Sequence, residues 1–452
     1  LRYVPDFCNW KGQLVLATDE TSILANPFAG RSQSNLWFGK YEDLKKWGPE
    51  NGWGGPWVND KVEVNKPSEP YLFQGLFTKV VHLYHDAEDS VQFTFEADAK
   101  GNGEWLEVYQ QTVPPGEYSY HIFPPYIQGQ WIRVVSDKAC TATAFFHYTT
   151  NGHHTEKDKE IFQSLADIEY ASTVHSGWIR PSGYNKNLQF IEISDRKTRR
   201  YLEVDENIRF ISEDGENKLR AAVEKLEMKQ DVEITKSSVI VRDETGTYLL
   251  PKTHAKYDSP FAQGWPRGIR ELESERYMLN VHGTFYEFPR EAGMEAIRPI
   301  ATHKKQILDF CTWRGLLVMT GTKKDAQPDG NYFRSDQLNT GLWFGAIDDI
   351  WKLGKPTGQG GPWKEIRVEP DEPSLPYLMT NYEKKSVKLM ADEDVVITIE
   401  VNVDHTGWQV YDQFQLEKGK LLHHEFPDGY AAHWVRVSAD KECIATAWFI
   451  YE

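Results

Sequence analysis

Side chains that can move protons are concentrated in one short segment of this 452-residue sequence. His282, Tyr286 and His303 are residue types that serve as general acids or bases, and Arg298 can neutralise a carboxylate. On one extended strand, His282 and Tyr286 would face the same side. We therefore predict that His282 transfers a proton, with Tyr286 and His303 as its partners. Arg298 is predicted to neutralise a substrate carboxylate.

A second, shorter group of the same residue types lies upstream. His175, Arg180 and Tyr184 are separated by glycine and proline residues, which can bend the chain at the end of a strand. We predict that these three residues bind substrate. For every histidine in the two groups, packing inside the fold is the structural alternative.

Other catalytic and metal-binding patterns are missing from the sequence. There is no Gly-x-Ser-x-Gly elbow, no His-Glu-x-x-His motif and no Cys-x-x-Cys pair. The acidic run 392–394 lacks the regular spacing of a calcium loop. We therefore expect no metal site and no cofactor, with a structural calcium ion left open.

The chain repeats itself over about a third of its length at each end. We interpret residues 1–149 and 303–452 as two copies of one unit, and residues 150–302 as an unduplicated middle that carries the candidate site. Residues kept in both copies are attributed to shared structure. The ordered matches include Asp6–Trp10 with Asp309–Trp313, Leu36–Gly39 with Leu342–Gly345, Gly54–Trp57 with Gly360–Trp363, His121 with His424, and Arg133 with Arg436.

The repeated unit has the pattern of β structure. Short runs such as Val91–Glu96 alternate apolar and polar residues, and glycine or proline turns separate the runs. Many short strands in a repeated block predict an all-β fold, a single seven-bladed β-propeller, with eight blades as the alternative count. Two jelly-roll sandwiches joined by a central module are the competing architecture.

Composition limits the classes of partner. Lys and Arg number 51 against 67 Asp and Glu, so the net charge is −16, which disfavours nucleic acid. Aromatic residues make up 13% of the chain, which suits sugar stacking or the packing of sheets. No apolar run is long enough for membrane insertion. The sequence starts at Leu1 without a signal peptide, and we expect a secreted or periplasmic monomer whose export signal is gone.

The four cysteines are expected to be free and buried. Cys8 and Cys140 have the same spacing as Cys311 and Cys443, so one disulfide in each copy is the alternative. A large core needs no covalent staple, which favours thiols that pack as small apolar groups.

The middle segment and the repeated motifs resemble those of secreted bacterial β-propeller enzymes that degrade polysaccharides. The resemblance is carried by His282–Glu287, Arg298–Ile300 and Thr302–His303, which run into Asp309–Cys311 and Arg314–Val318. The repeated Trp-Phe-Gly and Gly-Gly-Pro-Trp motifs add to it. The group comprises L-rhamnose-α-1,4-D-glucuronate lyases, related α-L-rhamnosidases and, more distantly, ulvan lyases.

The resemblance implies an enzyme that acts on an acidic oligo- or polysaccharide of plants or algae. A lyase that breaks the chain by β-elimination at a uronic acid is the first expectation. A glycoside hydrolase on the same class of glycan and a non-catalytic glycan-binding propeller are the alternatives. Elimination needs a base, an acid and a neutralised carboxylate, which are the roles predicted above for His282, Tyr286, His303 and Arg298.

Overall fold

The structure is a computed structural model. It describes residues 3–19, 34–149, 156–182, 187–194, 196–213, 215–226, 232–265, 268–273 and 276–452, and the statements below concern these ranges. Strands dominate, which confirms the predicted all-β class. Among the described residues there is one α-helix, α1 (Glu216–Leu226), and no helix is long and apolar enough to cross a membrane.

The first copy contains a three-stranded sheet followed by eight further strands. The sheet has strands β1 (Tyr3–Trp10), β2 (Gln13–Asp19) and β3 (Ser34–Gly39), and a 3-10 helix (Tyr41–Lys46) follows it. The eight strands are β4 (Gly52–Val62), β5 (Tyr71–Leu72), β6 (Thr78–His85), β7 (Val91–Asp98), β8 (Trp105–Val113), β9 (Ser119–Phe123), β10 (Trp131–Ser136) and β11 (Cys140–Thr149).

The middle of the chain contains twelve strands, α1 and short 3-10 helices at Glu156–Phe162, Ala255–Asp258 and Gly293–Ala296. The strands are β12 (Val174–His175), β13 (Gly177–Pro181), β14 (Leu188–Ser194), β15 (Lys197–Val204), β16 (Phe210–Ser212), β17 (Val232–Ile234), β18 (Val239–Asp243), β19 (Gly246–Leu250), β20 (Gly268–Glu273), β21 (Arg276–Val281), β22 (Thr284–Pro289) and β23 (Arg298–Thr302).

The second copy repeats the order of the first. It begins with β24 (Phe310–Trp313), β25 (Leu316–Met319), β26 (Thr322–Lys323), β27 (Tyr332–Ser335), β28 (Thr340–Gly345) and a 3-10 helix (Ile347–Leu353). It continues with β29 (Gly358–Val368), β30 (Tyr377–Leu378), β31 (Lys385–Ala391), β32 (Val395–Asn402), β33 (Gln409–Leu416), β34 (Leu422–Glu425), β35 (Trp434–Ala439) and β36 (Cys443–Tyr451).

Each copy folds its last eight strands into two facing sheets. In the first copy the sheets have the orders β4-β11-β6-β9 and β5-β10-β7-β8, and the second copy has the equivalent orders β29-β36-β31-β34 and β30-β35-β32-β33. Counted from one to eight, the strands follow the orders 1-8-3-6 and 2-7-4-5, which define a jelly roll. Both sheets of the first copy contribute to one core, as Val81 and Phe146 pack with Phe93 and Ile132.

The predicted single seven-bladed propeller is therefore not confirmed. In the two copies, the first and eighth strands pair across the whole unit, whereas a blade pairs strands that follow one another. The competing architecture, two jelly rolls joined by a central module, matches these sheet orders. Among the described residues, the small sheets of the chain form no closed ring of seven.

Blade-like sheets do occur between the jelly rolls. The orders β13-β14-β15-β16, β20-β21-β22-β23 and β24-β25-β28-β27 are antiparallel sheets of four strands, and β13 and β20 each lie beside β24. Strand β19 pairs in parallel with β30, so β17, β18 and β19 extend one sheet of the second jelly roll. The middle of the chain is thus built onto the second copy.

Candidate functional site

His282 lies in a hairpin turn. Val281 pairs with Thr284, so His282 and Gly283 form a two-residue loop, with φ values of 49° and 75°. Positive φ at both positions is the geometry of the tightest hairpins, and it favours glycine at the second. The prediction that His282 and Tyr286 share one continuous strand is wrong, because the chain reverses between them.

The imidazole of His282 is buried and uses both ring nitrogens. Nδ1 accepts a hydrogen bond from the Thr253 N–H at 2.9 Å, and Nε2–H donates to Asp258 Oδ1 at 3.0 Å. Burial lowers the pKa of His282, and the carboxylate of Asp258 opposes this shift. The hydrogen bonds fix the hairpin against the 255–258 turn, which is the role of a packing histidine.

His303 lies close to His282 but faces a different partner. Its Nε2–H donates to Asn280 Oδ1 at 3.1 Å, and Nδ1 accepts from the Lys305 N–H at 3.0 Å. The ring of Tyr257 contacts both histidines, with centroid distances of 5.6 Å to His282 and 6.4 Å to His303. Burial lowers the pKa of His303 to about 3, so the ring is neutral at pH 7.

Tyr286 and Arg298 lie apart from the histidines and from each other. Tyr286 is fully buried in the core, where its hydroxyl donates to Pro251 O at 3.5 Å and burial raises its pKa. Arg298 pairs with Glu287 on the other face of the same sheet, and it donates to Asn51 Oδ1 at 2.9 Å. The structure therefore brings together the two histidines but does not join Tyr286 and Arg298 to them. A catalytic role of the four residues stays a prediction.

The upstream group is also divided. His175 is buried in β12, with Nδ1 at 4.0 Å from Glu192 Oε1, and burial lowers its pKa. Arg180 lies in β13, where burial, reinforced by the charge of Arg270, lowers its pKa to about 10. Tyr184 lies outside the described residues. Substrate binding by this group stays a prediction, and the burial of His175 favours packing.

The two jelly rolls meet along a seam of buried histidines and tyrosines. His147 Nε2–H donates to Val403 O at 2.7 Å, and the Tyr118 and Tyr430 hydroxyls lie 3.0 Å apart. His82 Nδ1 lies 2.7 Å from the Tyr118 hydroxyl. Burial lowers the pKa of His147 to about 4, and it lowers that of His82 as well. The seam therefore consists of neutral rings at pH 7.

A cavity of about 370 Å³ opens beside this seam, between the two copies and β23. Lys385 lines it, buried at the start of β31, with Nζ donating to Tyr382 O at 2.5 Å and to Tyr430 O at 2.8 Å. Burial lowers the pKa of Lys385 to about 7. The equivalent residue of the first copy, Lys79, is also buried and also has a lowered pKa. Lys385 is thus a buried amine that lines a cavity and titrates near neutral pH.

Each jelly roll carries the same aromatic and charged group on the outer face of one sheet. In the first copy, the guanidinium of Arg133 lies 4.4 Å from the centre of the Trp105 ring, and its Nε donates to Glu96 at 2.6 Å. In the second copy, the equivalent contacts are 4.4 Å and 2.8 Å, and the residues are Trp408, Arg436 and Glu400. We call these groups, each taken with the tryptophan two residues before its arginine (Trp131 and Trp434), the first and second outer platforms.

The first outer platform is the more open of the two. Trp131 precedes Arg133 on the same face of β10 and is 39% exposed, whereas its counterpart Trp434 is 1% exposed. Tyr248 of β19 stacks on Trp434 at 4.7 Å, and the Trp434 indole N–H donates to Glu295 O. An open tryptophan beside an arginine and a glutamate can stack a ring and bind its hydroxyls.

The duplication of Arg133 and Arg436 predicts a structural role for them, because residues kept in both copies are attributed to shared structure. That filter is sound for an active site, which a chain rarely needs twice. It fails for binding sites, because two equal sites on one chain increase avidity. The signal that was present in the sequence is the joint conservation of a tryptophan, an arginine and a glutamate between the two copies.

The described residues do not form a metal centre. No group of three or more His, Cys, Asp or Glu side chains in the described part of the chain could hold a metal ion. The four cysteines are free, as predicted, but Cys8 is exposed and Cys140 half-buried, so the prediction of burial holds only for Cys311 and Cys443.

Comparison with known proteins gives little. No family model and no curated protein matches the chain. Among solved structures, the chain is similar to the PBSX exported protein XepA (6% identity, 90% of this chain and 86% of that chain, TM-score 0.18). It is also similar to the tandem CBM22-1–CBM22-2 domain of Xyn10C from Paenibacillus barcinonensis (10% identity, 100% and 94%, TM-score 0.13). Similarity at this level carries no argument about fold or function.

Proposed function

We propose that the protein binds glycans through the outer faces of its two jelly rolls, and that the first outer platform is the principal site. The observation that carries this proposal is the exposed ring of Trp131, which lies beside the tryptophan, arginine and glutamate contacts that both copies repeat. A tryptophan face stacks on the C–H face of a sugar, the neighbouring carboxylate of Glu96 can accept hydrogen bonds from the sugar hydroxyls, and the guanidinium of Arg133 can donate to them. The proposal does not depend on the predicted seven-bladed propeller.

The chemistry of the first outer platform favours a glycan that carries carboxylates. Arg133 is half-buried, and one edge of its guanidinium is committed to Glu96. A guanidinium presents five N–H donors in a fork that matches a carboxylate, so the remaining donors suit a uronate. An acidic oligo- or polysaccharide is therefore the proposed partner, and a secreted or periplasmic location follows from that substrate class.

A lyase or hydrolase acting on such a glycan is the second hypothesis. Lys385 supports it, because an amine with a pKa of about 7 can act as a general base at neutral pH. It lines a cavity that also contains Tyr430. The burial of His282 and His303, with both ring nitrogens of each already bonded, weighs against the proton transfer predicted from the sequence.

One set of incubations separates the two hypotheses. The purified chain is screened against neutral and uronate-containing oligosaccharides, and the mixtures are analysed for unsaturated uronate by ultraviolet absorbance and for released rhamnose. Binding to uronate-containing glycans with neither product supports recognition. Product formation supports an enzyme, and Lys385→Met and His282→Ala then show which group carries the reaction, since loss of a positioned base costs about 10²–10⁴ in rate. No binding to any uronate-containing glycan contradicts the proposal.

A further inference from the structure

The two copies present the same sheet in different surroundings. Strands β1, β2 and β3 correspond to β24, β25 and β28, and the registers are identical: Cys8 pairs with Val15 as Cys311 pairs with Val318. Val15 then pairs with Phe38, as Val318 pairs with Phe344. The duplication therefore gives a matched pair of apolar surfaces within one chain.

One member of the pair is covered and the other is bare. In the second copy, one face of the sheet packs against Ile179, Phe190 and Leu202 of the β13–β16 sheet. The same face of β1–β3, which we call the N-terminal face, consists of Cys8, Trp10, Leu36 and Phe38 around a buried Val15. Trp10, Leu36 and Phe38 are 50%, 63% and 48% exposed, whereas their counterparts Trp313, Leu342 and Phe344 are 1%, 0% and 3% exposed.

The chain has no second β13–β16 sheet among its described residues to cover the N-terminal face. The single sheet of this kind packs one side on the second copy and the other on α1, through Ile191, Tyr201 and Leu226. Contiguous exposed apolar side chains on one face of a sheet are typical of a protein interaction site. Within the described ranges, no segment of the chain covers the N-terminal face.

We propose that the N-terminal face is the interface of a homodimer, in which it packs against the same face of a second copy of this chain. Symmetric dimers use one self-complementary patch on both subunits, and two facing sheets pack about 10 Å apart. The T-shaped contact of Trp10 with Phe38 at 6.2 Å holds the aromatic part of this patch in one geometry.

The area is sufficient for a dimer. With aromatic side chains of about 150–250 Å² and roughly half of each exposed, the patch offers roughly 400 Å² of apolar surface per subunit. Interfaces are about 56–58% apolar, which corresponds to roughly 700 Å² per subunit in total. Stable complexes bury about 600–1,000 Å² on each side, so this area lies within their range. This differs from the monomer that we expect from the sequence.

The opposite face of the same sheet provides a matched control. Phe7 is 70% exposed, but its neighbours there are Leu14 and Leu16, which are buried, and Trp37, which contacts Trp47 at 5.1 Å. That face is thus partly covered by the chain itself. A charge at Phe7 changes the same sheet without touching the N-terminal face.

Light scattering after size-exclusion chromatography measures the mass of the wild type and of the Leu36→Asp, Phe38→Ser and Phe7→Asp variants. The buffer contains a reductant, because the exposed thiol of Cys8 could otherwise link two chains by a disulfide. We expect a wild-type mass of twice the 52.3 kDa chain. Leu36→Asp and Phe38→Ser should weaken association by about thirtyfold or more, as at interface hot spots, and Phe7→Asp should leave it unchanged. Circular dichroism checks folding, and Phe38→Ser retains the test if Leu36→Asp misfolds.

A wild type with the mass of one chain at every concentration overturns the proposal. A dimer that Phe7→Asp dissociates while Leu36→Asp and Phe38→Ser do not would place the interface on the opposite face, and this also overturns it. Glycan binding plays no part in these measurements, so their outcome is independent of the proposed function.

Discussion

Replacing Asp309 by alanine is expected to destabilise the protein strongly. Asp309 is fully buried where β13, β20 and β24 meet, and its Oδ2 accepts from Arg270 at 2.8 Å and from the Ile179 N–H at 2.9 Å. Its Oδ1 accepts from the Phe310 N–H at 2.8 Å. Alanine would leave the guanidinium of Arg270, which is 2% exposed, without its counter-ion.

The magnitude follows from the burial of that charge. Removing one partner of a buried ion pair costs about 3–5 kcal/mol. For a folding unit of about 150–250 residues, each kcal/mol of lost stability lowers the melting temperature by about 2–4 °C, so we expect a fall of roughly 6–20 °C. Replacing both residues, as Arg270→Met with Asp309→Leu, should recover part of the loss, because it removes the unpaired charge but leaves the N–H groups of Ile179 and Phe310 without their acceptor.

The duplication supplies the control. Asp6 is the counterpart of Asp309, but it is exposed, and its Oδ1 accepts a hydrogen bond from the N–H of the next residue, Phe7, at 2.8 Å. Asp6→Ala should change stability by less than about 0.5 kcal/mol. Differential scanning calorimetry of the three variants measures the effects. Equal small shifts for Asp6→Ala and Asp309→Ala would refute the reasoning that the ion pair joins the sheets.

Three further predictions concern pH and a turn. The pKa of His147 is about 4 in the folded state and 6.5 in the unfolded state, so the unfolded state binds more protons between these values. The free energy of unfolding therefore falls as the pH drops from 6.5 to 4. His147→Gln should make this fall less steep, and an unchanged slope would contradict the prediction. The pKa of Lys385 is about 7 against 10.5, so it contributes a rise in stability between pH 7 and 10.5 that Lys385→Met should remove in chemical denaturation. Asp98 accepts from four backbone N–H groups of the 100–103 turn, so Asp98→Ala should lower stability by about 1–3 kcal/mol in urea titrations, whereas no change would show the turn to be self-sufficient.

The all-β class was predictable, but the sheet order was not. Alternating runs such as Val91–Glu96 identify strands from local pattern alone. The jelly roll pairs β4 with β11 and β5 with β10, and such pairings join residues far apart in sequence, which leave no trace in local periodicity. The blade-like order of β20–β23 uses neighbouring strands and is closer to what the sequence pattern indicates.

The candidate site shows the same limit. A short turn at His282–Gly283 separates His282 from Tyr286, and a single glycine gives the only sequence signal for it. The burial of a side chain is even harder to predict from the sequence. Phe7 and Phe310 occupy equivalent positions in nearly identical motifs, yet Phe7 is 70% exposed and Phe310 is 0% exposed. The difference depends on which copy the middle of the chain packs against, and that is a tertiary property.

Titration calorimetry with a uronate-containing glycan selected by the binding screen tests the central claim most directly. Trp131→Ala removes the exposed ring of the first outer platform, whereas Trp448→Ala removes a half-buried tryptophan on the other sheet of the second jelly roll. We predict that Trp131→Ala weakens binding by about tenfold or more, equal to about 1.4 kcal/mol, and that Trp448→Ala binds as the wild type does. Wild-type affinity in Trp131→Ala would contradict the proposal that this platform binds the glycan.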